Sequence, residues 1–121
     1  MDLDDDRLAA LAEELPGVDT IVADVSDVGA CDAMIERTVE LHGRLDVVIG
    51  AAGVWVEGPA DRMTEMHWDA VIGVNLKGAF FTCRAAIPHL VQTEGSIVLI
   101  SSDYGLVGGP GRPSTPRRSS A

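Results

Sequence analysis

With 121 residues, 46% of them hydrophobic and 23% charged, the chain is long enough for one domain with a buried core and too apolar for a disordered polymer. Nineteen acids against nine basic residues leave a net charge of −10, which excludes a nucleic-acid-binding face, because phosphate binding needs clustered Lys and Arg. No apolar run exceeds strand length and no basic-then-apolar leader opens the chain, so no membrane span and a cytoplasmic location are expected.

Leu8, Leu11, Ala12 and Leu15 share one stripe at i, i+3, i+4, i+7, which predicts a short helix over Asp4 to Leu15, ended by Pro16 and Gly17. The β-branched run Thr20 to Val25 reads as a strand. Ser26 is the expected cap of a second helix with Val28, Cys31, Ile35 and Val39 on one face, stopped by Gly43. Leu45 to Ile49 is a near-continuous apolar run, as in a central parallel strand covered on both faces. After a loop broken by Gly58 and Pro59, Thr64 caps a helix through about Val74. Ala79 to Leu90 forms another, which Pro88 kinks or stops early, and Ser96 to Ile100 is again a buried-strand run. The order is an α/β pattern with right-handed crossovers and a parallel sheet. Cys31 and Cys83 fall in separate helices without metal-ligand spacing and read as packing thiols, so no metal is expected. From Pro110 onward three prolines, three arginines and no acid predict a disordered tail over 110–121, behind a folded unit at 1–109.

Three segments carry chemistry. Gly50, Ala51, Ala52 and Gly53 follow a strand, where small residues let a flat ring or a ribose lie on the backbone at the carboxyl end of a sheet; turn chemistry explains the same residues. Asn75, in VNLKG, stands between helical segments, where its side chain competes for backbone hydrogen bonds and kinks the helix. Ser102 ends GSIVLISS at the sheet edge where open α/β folds bind ligands; a cap or a loop hydroxyl is the plainer reading.

LDVVIGAAG, VNLKG and GSIVLISS in this order, with HWDAVIGVN leading into Asn75, resemble the short-chain dehydrogenases. The resemblance implies a partial Rossmann-type, doubly wound parallel sheet with helices on both faces. It also implies an NAD(P)-dependent oxidoreductase that interconverts a small-molecule alcohol and ketone by hydride transfer, and association into homo-oligomers. Asn75 stands where the family's asparagine holds a water between the catalytic lysine and solvent. Ser102 matches the serine that polarises the substrate carbonyl. Asp2 matches the acid that binds the adenosine ribose, pointing to NAD rather than NADP, and Asp24 and Val25 match the pair that contacts adenine. Gly50 to Gly53 match the family's Asn-Asn-Ala-Gly turn, except that Gly50 replaces an asparagine that braces the central strand.

The resemblance runs from Asp2 to about Gly111 and covers the middle of a family member. A tyrosine roughly a dozen residues after the serine, and a lysine one helical turn further on, would complete the catalytic set. Thr115 stands near the tyrosine position, Tyr104 lies too close to Ser102, and the only lysine is Lys77. The expectation is a chain cut at both ends, without the glycine-rich phosphate turn and first strand, and catalytically incompetent alone. The competing expectation is a module that binds a complete homologue through the 79–90 helix, with Phe80, Phe81, Ile87 and Leu90 exposed. In the family's sheet order 3-2-1-4-5-6-7 the strands at Thr20–Val25 and Leu45–Ile49 are not neighbours. Without the first strand they are expected to pair directly, or the chain not to fold stably.

Overall fold

The structure, a computed structural model, describes residue 2 and residues 4–102; the expected tail, Tyr104 and Thr115 lie outside them. Asp4 caps α1 (Asp5–Glu14), its carboxylate accepting the Arg7 N–H at 3.1 Å. Only Leu8 of the apolar stripe is buried, and Leu11 and Leu15 remain exposed. α2 (Val28–His42) is capped by Asp27 rather than Ser26, because the Asp27 carboxylate takes the N–H groups of both Gly29 and Ala30. Ser26 instead turns its own N–H back to the Asp24 carboxylate. Gly43 ends α2 in the left-handed region at φ 74°, its N–H on the Val39 carbonyl at 2.7 Å.

The strand expected at Thr20–Val25 does not form; one parallel bridge joins Val22 to Asp2. Nor does this segment pair with the next strand. β1 (Val47–Gly50) pairs in parallel with β2 (Ser96–Leu99), in a register running from Val47 opposite Ser96 to Gly50 opposite Leu99. Side-chain burial holds the 20–25 segment where no ladder does. Ile21 and Ala23 pack on the core, and buried Val25 lies against Gly78.

Thr64 caps α3 (Glu65–Ile72) through a reciprocal pair, its hydroxyl accepting the His67 N–H and the His67 ring accepting the Thr64 N–H. The helix then neither stops nor breaks. A π-helical segment, Gly73–Gly78, leads straight into α4 (Ala79–Thr93), which passes through Pro88 at the cost of one backbone hydrogen bond. The fused run of 29 residues is long and apolar enough to cross a bilayer by length and composition, a correction to the reading of separate short runs. Its Thr82, Ala86 and Leu90, however, recur every four residues and face α2 and β1, making α4 the core helix of this sheet.

The core joins Met34 and Ile35 of α2, Leu45 and Val48 around β1, and Ala86 and Leu90 of α4. Leu90 is thus buried, not exposed as expected; Phe81 is half-buried, edge-on to Phe80 and beneath the Arg84 guanidinium. Phe80 and Ile87 do stay exposed. Across the helix pair Arg84 meets Asp32, and His89 meets Glu36 at 3.2 Å. Cys31 is fully buried, its thiol on the Val25 carbonyl and accepting from the Thr82 hydroxyl; both cysteines are free thiols.

The expectation that the strands are covered on both faces is corrected. Side chains alternate along a strand, so α2 and α4 bury Val48 while Val47 and Ile49 remain 53% and 65% exposed, and all of β2 is exposed. The α4–β2 corner is close-fitting: Glu94 takes φ 53°, and a Cβ on Gly95 would sit 2.4 Å from the Asp46 carbonyl oxygen. The Thr93 hydroxyl ties this corner to the Leu45 carbonyl at 2.6 Å.

Candidate functional site

Parallel pairing sends both strands to the same edge, so the residues after Gly50 and after Leu99 emerge together at the carboxyl end of the sheet. Facing the end of β1 across a gap is the turn at 24–26, where the chain passes from the Val22 bridge into α2. The gap is a cleft of about 450 Å³, with Ala23, Asp24 and Val25 on one wall and Val48 through Val54 on the other. Val74, Gly78, Ala79, Thr82, Cys83 and Leu99 also line it, as do Asp2 and Arg7. All seven residues singled out for cofactor contact, Asp2, Asp24, Val25, Gly50, Ala51, Ala52 and Gly53, line this one cleft.

Asn75 and Ser102 are placed differently. The Asn75 amide is committed to the chain leaving β1: its Oδ1 accepts the Val54 N–H and its Nδ2 donates to the Val54 carbonyl, both at 2.8 Å. That clamp replaces one backbone neighbour with one side chain, braces the 50–54 turn and matches a helix whose backbone ladder has opened into π geometry. Ser102 is exposed, three residues beyond the end of β2. Neither residue lines the cleft.

At the Asp24 turn the Ser26 hydroxyl and amide hold the carboxyl below the usual carboxylate range, and the Lys77 ammonium adds to the effect. Lys77 itself donates to the Ser26 carbonyl at 3.0 Å. In the sequence Lys77 reads as a solvated or cofactor-side structural lysine, and VNLKG carries no local signal of its partner, which is 51 positions away; Gly78 and Arg7 carry no signal of their place in the lining. The charged lining is mixed, with Asp2, Asp24 and Arg7, and the remainder is small and largely apolar. Among the described residues no group of three His, Cys, Asp or Glu could hold a metal ion.

Residues 1–114 match the family model for short chain dehydrogenase. The 3-oxoacyl-acyl-carrier-protein reductase FabG of Thermotoga maritima is 42% identical over 109 residues, covering 88% of this chain and 44% of that protein. FabG of Staphylococcus aureus strain Mu50 is 39% identical over 112 residues, covering 88% of this chain and 46% of that protein. Among solved structures, a short chain dehydrogenase from Mycobacterium smegmatis is similar with TM-score 0.85 at 31% identity, over 93% of this chain and 49% of that one. ElxO with NADP bound gives TM-score 0.81 at 25% identity, over 92% and 47%. The partial Rossmann-type fold is thereby shown, and the chain spans about half the length of the curated relatives it matches.

Proposed function

Because this chain belongs to the short-chain dehydrogenase family, we propose that the cleft beside β1 is the adenosine side of a nicotinamide dinucleotide site in an oxidoreductase acting on an alcohol–ketone pair. One observation carries the reading: seven residues chosen from separate stretches of sequence line a single cleft. The lining fits the group. Small residues at 50–53 leave backbone open to a flat ring or sugar, and the Asp2 and Asp24 carboxylates suit ribose hydroxyls and base nitrogens. Two carboxylates against the single Arg7 disfavour an extra phosphate, which favours NAD over NADP, although the similar ElxO holds NADP.

The bound cofactor would supply the hydride. Of the chain's own groups, Asn75 fixes the 50–54 turn and Asp24 and Lys77 fix the facing turn, while Ser102 would donate its hydroxyl to a substrate oxygen, the role its match to the family's serine implies. NADH fluorescence titration tests the reading. Saturable binding, weakened at least tenfold by Asp2→Ala together with Asp24→Ala, is expected; binding that ignores both substitutions refutes it.

A second reading, association with a complete homologue, is favoured by the 63% exposed Phe80 and the 50% exposed Ile87 on the outer face of α4. Co-elution with a full-length short-chain dehydrogenase is its test.

A further inference from the structure

The π-helical segment Gly73–Gly78 touches both walls of the cleft. Towards β1 it sends Asn75, which takes the N–H and the carbonyl of Val54. Towards the opposite wall it presents Gly73, Lys77 and Gly78. A Cβ on Gly78 would lie 2.8 Å from Val25 Cγ2 and 2.9 Å from the Val25 carbonyl oxygen, so the two backbones are in direct contact; a Cβ on Gly73 would meet Ser26 Cβ at 3.7 Å. Lys77 completes the contact. Its Nζ donates to the Ser26 carbonyl at 3.0 Å while the Asp24 carboxylate accepts the Ser26 N–H at 2.8 Å, so both backbone groups of Ser26 are held.

We propose that Lys77 is a positioning residue for the cleft, its ammonium fixing the 24–26 turn on the wall opposite the 50–54 turn. The proposal rests on the cleft being the dinucleotide site. Helix geometry aims the pair: residues two positions apart are turned by about 200°, so Asn75 and Lys77 reach opposite walls from one segment. Lys77 is exposed, and exposed charge contacts contribute little to folding. Its loss leaves the Ser26 carbonyl to water and the turn free to move, and a ligand must then order that turn on binding.

NADH and AMP titrations of the wild-type chain, Lys77→Met and Lys77→Arg, each with a thermal melt, test the proposal. Lys77→Met should raise the Kd of both ligands about fivefold, with Tm within about 2 °C of wild type, and Lys77→Arg should restore the Kd to within about twofold. Equal affinity of wild type and Lys77→Met overturns the inference alone, as does a loss in Lys77→Met that Lys77→Arg fails to restore. A wild-type chain that binds neither NADH nor AMP overturns the site reading and the inference with it.

Discussion

Replacing Asn75 by alanine removes two hydrogen bonds, each 2.8 Å long, from the backbone of Val54. A neutral hydrogen bond contributes about 0.5 to 1.5 kcal/mol net, so the pair is worth about 1 to 3 kcal/mol. Asn75 is exposed, and water can replace it at Val54, which places the loss at the low end, about 1 to 2 kcal/mol. Alanine also suits a helix better than asparagine by about 0.5 kcal/mol, offsetting part of this. A net destabilisation of about 1 kcal/mol follows, or about 4 °C in Tm for a domain of this size. Urea melts followed by circular dichroism measure the global loss, and amide exchange reports the local one: Val54 should exchange at least tenfold faster in Asn75→Ala. Asn75→Asp should be worse than alanine, because a carboxylate would face the Val54 carbonyl. Unchanged stability together with unchanged Val54 exchange would refute the clamp.

Gly95→Ala puts a Cβ 2.4 Å from the Asp46 carbonyl oxygen and 2.7 Å from Leu90 Cδ2, and should cost about 1 to 3 kcal/mol or more, read as a lower urea midpoint; a midpoint equal to wild type contradicts the close fit. The Asp24 carboxyl is held below the ordinary value of about 4, so its contribution is present above that pH and is lost as the pH falls through the folded value. The Tm gap between wild type and Asp24→Asn should therefore close as the pH falls below the ordinary carboxylate range, and a gap of constant size would contradict the Ser26 and Lys77 contacts. Phe80→Ser combined with Ile87→Ser removes the exposed apolar face of α4 and should shift light-scattering mass towards monomer; a wild-type chain already monomeric at high concentration contradicts an association surface.

The features legible in the sequence are those whose causes lie within a few residues. Helix periodicity, the Thr64 cap, the left-handed Gly43 terminus and the apolar strand at β1 follow from neighbours three or four positions apart, and the ordered motifs carried the family and the lining of the cleft. Ser26 misled because Asp27 stands beside it and caps more strongly with two N–H groups in reach. The fate of Thr20–Val25, the single covered face of β1, the burial of Leu90 and the unbroken passage from α3 through a π segment into α4 depended on what lies across space. Asn75 finds Val54 at a separation of 21 residues and Lys77 finds Ser26 at 51. Local propensity is blind to such partners, and they decided which side chains brace the cleft: a hydrogen bond forms wherever packing brings a donor to an acceptor, whatever the distance along the chain.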